Sequence, residues 1–418
     1  MSTSRRENIF QGVLLAVALL FLVSKTGWLI PAVVLAVLLM VVGHEFGHYI
    51  TARMTGMKTT EFFVGFGPRI WSFRRGETEF GIKALPLGGY VRIVGMSSLE
   101  QIDDADEPRS YRAQSYPSRV LVASAGSLMH ALMAFVIVVG SLMFLGVPDS
   151  SRVGIHSVSV WGSSHPTPAM RAGVLPGDEV KTLNGRAVTD VNGFVDAIHR
   201  STGVAVTLLV QRGSETVTLR VTPTDGRKVL IDGVPLADPS GPAVGYLGIG
   251  IETLYSRVGP WHSLTSSAHY IWSLTTSAVA SLPHMFAPSQ FSSLFRDVTD
   301  AGAAQHDAST GQRPVSGYGA VRFAVQSAEA GPREFIQVFA TLNIFIGVLN
   351  LIPMMPLDGG LIAVATYERI RTRKGQPRYQ ADLTKLTPFV YAFLALLAVL
   401  FVSTLYLDIV HPVANPFQ

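Results

Sequence analysis

Apolar residues come in long blocks along this chain. A first run covers Ile9 to Val23, after Arg5 and Arg6, and a second runs from Trp28 to Val42, after Lys25-Thr26-Gly27. Further blocks cover Val120 to Val147, Phe335 to Ile352 and Phe389 to Leu407. Blocks of this length with few charges are expected to be membrane-spanning helices. The first is short for a span and is expected to tilt or lie partly in the interface. No Ala-x-Ala-like cleavage site follows it, which favours an uncleaved hairpin over a signal peptide.

Between the blocks the pattern changes. Phe62 to Pro68, Ile70 to Phe73, Thr78 to Ile82 and Leu87 to Ile93 are short, apolar and Gly-punctuated, with Arg74-Arg75-Gly76-Glu77 as a turn, and read as β-structure. Residues 97–116 carry Asp103, Asp104, Asp106 and Glu107 and read as a solvated loop. Trp261 to Phe286 is only mildly apolar and suits a helix lying along the membrane surface. Its His262, His269 and His284 have no ligand spacing, and Pro288 to Gln312 reads as loop.

Charge then orients the blocks. Arg5, Arg6, Arg53 and Lys58 flank the first hairpin, and Arg369, Arg371, Arg373, Lys374, Arg378 and Lys385 precede the last run. Basic flanks stay on the cytoplasmic side, so five spans are expected. Of 418 residues, 48% are hydrophobic and 15% charged, and the net charge of +4 is too mild to suggest nucleic acid. There is no cysteine, so any zinc must use histidine and carboxylate.

The chemistry gathers at the end of the second block, in Gly43-His44-Glu45-Phe46-Gly47-His48. Four apart on a helix, His44 and His48 leave one face and can share a zinc ion. Glu45 is placed to take a proton from water at that ion. Ionisable groups at membrane depth are costly and default to function. A third ligand is expected from Asp358, in Pro353-Met354-Met355-Pro356-Leu357-Asp358-Gly359-Gly360. Its two prolines and Gly pair break a helix where irregular backbone must be buried in protein or line a wet cavity. The charge pattern puts both segments in the same leaflet. Asn350 is expected to bond the substrate backbone, and an open sheet edge within residues 59–96 to hold the substrate extended. His130, in an otherwise apolar block, is read as structural before functional.

Residues 150–252 have a soluble composition. Their order of strand, short helix in Pro168 to Val180, Asn184-Gly185 turn, helix at Gly193 to His199 and strand pair around Arg212-Gly213 resembles a PDZ domain of the bacterial, circularly permuted kind. Gly245-Tyr246-Leu247-Gly248 fits the carboxylate-binding loop of such a groove.

Together, His44-Glu-x-x-His48, Gly65-Phe66-Gly67-Pro68, Leu87-Gly-Gly-Tyr-Val91, the PDZ-like module and Asn350-x-x-Pro353-x-x-Pro356-Leu-Asp358-Gly-Gly resemble the site-2 protease family. The resemblance covers nearly the whole chain. It implies a polytopic α-helical membrane protein with a small membrane-associated β-sheet and an extracytoplasmic PDZ domain. It also implies Zn2+ on His44, His48 and Asp358, Glu45 as base, and substrate contacts from Asn350 and from Gly65, Phe66 and Gly67. The expected parts are 1–27 as an N-terminal apolar segment, 28–58 as the catalytic span, 59–119 as sheet and loop, 120–148 as a span and 150–252 as PDZ domain. Then follow 253–334 as surface helices and loop, 335–360 as a span, 361–388 as a basic loop and 389–407 as the last span.

Such proteases of the bacterial cytoplasmic membrane act in regulated intramembrane proteolysis. The implied partners are membrane lipid, an upstream site-1-type protease and transmembrane substrates such as anti-sigma factors or signal-peptide remnants. Relatives carry Ala-Gly-Pro-x-x-Asn where this chain has Ala125-Gly126-Ser127-Leu128-Met129-His130, which alters packing near the site. The rival readings are a catalytically inactive scaffold presenting its PDZ domain, which the intact Glu45 disfavours, and a metal-ion transporter, which would need several polar spans.

Overall fold

The computed structural model describes residues 23–24, 27–96, 101–161, 165–231, 234–310, 313–373, 376 and 378–417. All but a few residues of the expected first apolar segment lie outside that set. The chain forms two compact units, Met1–Ser141 with Trp261–Gln418, and Leu142–Pro260.

In the first unit the apolar blocks become helices α1 (Leu29–Met54) and α2 (Tyr116–Phe144). Among the described residues four helical segments are long and apolar enough to cross a membrane: these two, Pro332–Asn350 and Leu383–Val410. Leu35, Leu39 and Val136 are more than half exposed. Such surfaces suit hydrocarbon rather than water.

Between α1 and α2 lie β1 (Thr59–Arg75) and β2 (Thr78–Ile93). The sequence suggests four short β segments with one turn at Arg74 to Glu77; the structure joins them into two long strands that fold back on themselves. Glu61, Phe62, Phe63 and Val64 have partners on two sides, Arg92 to Gly89 on one and Glu79 to Ile82 on the other. The outer arm, Trp71 to Arg75, pairs with Ile82 to Thr78. The kink sits at Gly65 and Gly67, both left-handed, with φ of +89° and +82°. A Cβ on Gly65 would also meet the Leu85 carbonyl oxygen at 2.7 Å. The segment 89–93 is therefore an edge of the sheet.

The second unit begins with β3 (Val147–Val158), α3 (Pro168–Ala172), β4 (Glu179–Leu183) and α4 (Val191–Arg200). It ends with β5 (Val206–Arg212), β6 (Glu215–Val221) and β7 (Ile249–Ser256). The long strands form an antiparallel sheet in the order β7-β3-β4-β5-β6. Alternate residues Val206, Leu208 and Val210 point inward against Val153, Ile155, Phe194 and Ile198. Each large apolar side chain fully buried there contributes roughly 1.5–3 kcal/mol. Asp190 caps α4 by accepting from the Asn192 and Gly193 N–H groups. Asn184 and Gly185 both take positive φ, as a two-residue turn of this type demands.

The remainder of the first unit is helical: α5 (Pro260–Met285), α6 (Pro288–Thr299), α7 (Ala301–Thr310), α8 (Gly317–Ala330), α9 (Pro332–Asn350), α10 (Asp358–Arg371) and α11 (Thr387–Val410). The loop expected over Pro288 to Gln312 is corrected by this: it is mostly helix. Pro288 suits a first helical turn, and Leu294 and Ala304 bury themselves against Leu407. That packing is tertiary, and the polar local sequence does not reveal it.

Candidate metal centre

The apolar run of α1 carries helix geometry straight through residues 43–48, so His44 and His48 project from one face. The second approach comes from the break between α9 and α10. There Gly359 and Gly360 have no room for side chains: a Cβ would lie 2.2 Å from the Leu351 carbonyl oxygen and 2.6 Å from the Met355 nitrogen, respectively. This close turn sets Asp358 at the start of α10, facing the two histidines. His44 Nε2 and His48 Nε2 are 3.2 Å apart. Asp358 Oδ2 lies 3.4 Å from the first and 3.3 Å from the second.

That triangle has a specific size. A tetrahedral ion with bonds of about 2.0–2.1 Å needs ligand atoms about 3.3–3.4 Å apart. Asp358 Oδ2 is buried and makes no hydrogen bond, an uncommon state for a carboxylate oxygen unless an ion completes it. His48 Nδ1 donates to the Val122 carbonyl at 2.7 Å. A carbonyl only accepts, so Nδ1 holds the proton and Nε2 offers its lone pair. Two imidazole nitrogens and one carboxylate oxygen fit zinc and leave one corner open. Among the described residues this is the one His/Asp/Glu group of three with metal-ligand proximity.

Close helix packing builds the walls. A Cβ on Gly126 of α2 would meet His44 ring atoms at 2.2–2.6 Å, and one on Gly47 would meet the Ala125 carbonyl oxygen at 2.5 Å. Small residues thus let α1 and α2 touch at the site. His130 is buried; its Nδ1 donates to Asn343 Oδ1 at 3.1 Å, and its ring centroid lies 5.0 Å from that of His44. It backs the site without joining the three ligating atoms.

Glu45 is tied to the sheet. Its Oε2 accepts from the Val91 N–H at 3.0 Å, and a Cβ on Gly89 would press on its Cγ at 3.3 Å. The sheet residues singled out from sequence, Gly65, Phe66 and Gly67, sit in the β1 kink, where Phe66 stacks on Tyr90 and is nearly half exposed. Sequence reasoning missed Val91 N–H, Gly126 and Asn343 as contributors. Gly126 and the Gly88-Gly89 pair carried a signal, since glycine in an apolar helix or strand marks close approach. Asn350 ends α9, with the tight turn between it and Asp358.

In the second unit Gly245, Tyr246, Leu247 and Gly248 do come together, lining a cavity of about 500 Å³ with Phe194 and Ile198 of α4.

Comparison with known proteins adds identity to this geometry. The chain is similar to the zinc metalloprotease Rip1 of Mycolicibacterium smegmatis, 32% identical over 407 residues that cover 91% of this chain and 97% of that protein. It is similar to Rip1 of Mycobacterium tuberculosis strain H37Rv at 31% over 401 residues, covering 91% and 96%. Among solved structures, the PDZ domain of an SdrC-like protein from Listeria monocytogenes aligns with 25% of this chain and 90% of that one, at 22% identity and a TM-score of 0.18. Residues 32–397 match Peptidase family M50, a stretch that contains both histidines and the aspartate. The chain therefore belongs to Peptidase family M50, the site-2 protease type of zinc metalloprotease.

Proposed function

We propose that this zinc metalloprotease cuts single-span membrane proteins inside the bilayer, after another protease has shortened them outside. The observation that carries the reading is the triangle of His44 Nε2, His48 Nε2 and Asp358 Oδ2, with both histidines on a helix of membrane-crossing length and Asp358 just beyond the end of another. These three residues hold the zinc. When bound there, zinc supplies Lewis acidity that polarises the scissile carbonyl and acidifies a water. Glu45 is the base. Val91 N–H fixes its Oε2, which leaves Oε1 to take a proton from the attacking water and pass it to the departing amide nitrogen.

A helical substrate hides its peptide bonds, so it must unwind before cleavage. The sheet around Gly65, Phe66 and Gly67 holds the unwound segment extended, and Asn350 bonds its freed backbone. The second unit acts as a PDZ-type filter outside the membrane, with Gly245 to Gly248 at its groove. The basic flanks of the spans put the active site toward the cytoplasmic face of a bacterial cytoplasmic membrane. Anti-sigma factors and signal-peptide remnants have the required single span and follow a first, site-1-type cut.

The test is a Glu45→Gln chain with a single-span reporter. It should retain about one zinc per chain while cleavage falls at least about a hundredfold. Equal cleavage by both forms would remove Glu45 from the chemistry.

A further inference from the structure

We propose that a cavity between the start of α2 and the end of α10 binds a phosphate oxyanion, supplied by the headgroup of an anionic phospholipid. The cavity has a volume of about 290 Å³ and is lined by Ser115, Tyr116, Arg119, Glu368, Arg369 and Arg378, among others. Its charges do not balance. Glu368 is fully engaged: Oε2 accepts from Arg119 Nη1 at 2.7 Å and Oε1 from the Ala381 N–H at 2.8 Å. That pair neutralises itself and leaves Arg369 and Arg378 on one small cavity with no carboxylate partner among the described residues.

The second observation is Arg119 itself. It is 5% exposed, and its Nε is buried with no acceptor among the described residues. A buried guanidinium donor without an acceptor is costly, and an oxyanion in the cavity it lines would satisfy it. Arg378 is pinned to the segment that leads into α2 by donating from Nη1 to the carbonyls of Arg112 and Gln114, at 2.8 and 2.6 Å. The N-terminal end of a 29-residue helix adds its own partial positive charge.

The lipid source follows from what lies beyond the cavity. Pro117 lines it, and Leu121, Leu128 and Leu132 continue the same stripe along α2, each more than 40% exposed. A headgroup in the cavity would lay its acyl chain along that stripe. A soluble phosphate would use the cavity alone.

This inference rests on the reading that α2 crosses a membrane, and it uses no residue of the metal site. The test places the full chain in nanodiscs of phosphatidylcholine with or without phosphatidylglycerol, and reads lipid retained after release by native mass spectrometry. Phosphatidylglycerol should be retained in preference to phosphatidylcholine. Arg369→Gln and Arg378→Gln should each weaken retention about tenfold. Arg373→Gln, outside the cavity, should leave it unchanged. Among the described residues Arg369 holds no backbone carbonyl, so its variant keeps the test valid if Arg378→Gln disturbs the loop.

Displacement of the lipid by millimolar inorganic phosphate would overturn the lipid assignment in favour of a soluble ligand. Undiminished retention in both cavity variants, or an equal loss in Arg373→Gln, would overturn the site. Repeating the measurement in the Glu45→Gln chain separates failure of this site from failure of the protease reading.

Discussion

Asp178 and Asp358 each withdraw carboxylate oxygens from bulk water, and the two are treated in opposite ways. In the second unit, Asp178 is 1% exposed and every oxygen is matched. Arg212 donates to Oδ1 from Nε and to Oδ2 from Nη2, both at 2.8 Å, and the Leu175 N–H reaches Oδ2 at 3.0 Å. In the first unit, Asp358 Oδ2 is buried within 3.4 Å of two histidine nitrogens and makes no hydrogen bond among the described residues. The first arrangement is complete as protein and holds a fold together. The second is incomplete as protein and becomes complete only with a cation. An unmatched buried carboxylate oxygen beside two imidazole Nε2 atoms that face it is thus a better guide to chemistry than burial alone.

The comparison breaks most sharply if Asp358 turns out to be structural. Asp358→Ala should reduce zinc from about one per chain to near none, with affinity falling more than about a hundredfold and cleavage with it. The fold should persist, because no hydrogen bond to Oδ2 is lost. A chain that unfolds while its zinc affinity is intact would place Asp358 with Asp178. Metal analysis beside circular dichroism separates the two.

A somewhat smaller effect should follow from Gly126→Ala. The new methyl would sit on the His44 ring, which must turn out of the triangle. Zinc affinity should fall about 10–100-fold. Gly140→Ala on the same helix meets nothing within 4 Å and provides the control, with zinc binding unchanged.

Much of this was legible in the chain itself. His44, His48 and Asp358 were expected together, because an apolar block fixes the helix that carries the first two and charge flanks put the third in the same leaflet. The helices Tyr116–Phe144 and Thr387–Val410 depart from the apolar runs by only a few residues. What was not legible depends on contacts between distant segments. The Val91 N–H on Glu45 is a backbone donor, and any residue but proline would provide it. The double pairing of Glu61 to Val64 requires knowing how β1 bends at Gly65 and Gly67. Helices α6 and α7 form in a polar stretch because Leu294 and Ala304 find Leu407 more than a hundred residues away. His130 could be read as structural, but its acceptor on Asn343 lies 213 residues further on.

Asp178 should answer to the opposite test. Asp178→Ala leaves Arg212 without its partner and the Leu175 N–H without an acceptor. Arg212 is about one-third exposed, so water takes up part of the loss. The second unit should lose about 2–3 kcal/mol, read as a lower unfolding temperature of that unit in the full chain. Zinc content should not change. A fall in zinc would mean that the two units do not keep their carboxylates for separate purposes.

The smallest effect concerns pH, and it sharpens the same contrast. Next to Asp178, Glu179 is drawn down from the usual 4.5 to about 2, chiefly by the hydrogen bonds from Arg152, with Lys181 helping and burial opposing. Burial alone would raise Asp178, but the hydrogen bonds from Arg212 and the Leu175 N–H outweigh it and hold it below its usual value. Both groups bind protons less readily folded than unfolded. The stabilisation they provide is therefore complete above about pH 4.5 and is lost as the pH falls toward about 2. Unfolding of the second unit should steepen over that window and be flat above it. Glu179→Gln cannot take up the proton, so its stability should fall less between pH 5 and 2 than that of the parent chain, by roughly 1–2 kcal/mol after solvent screening at Arg152. Identical slopes in the two chains would mean that the Arg152 pair is open in solution, leaving Asp178 alone to account for the acid sensitivity of this unit.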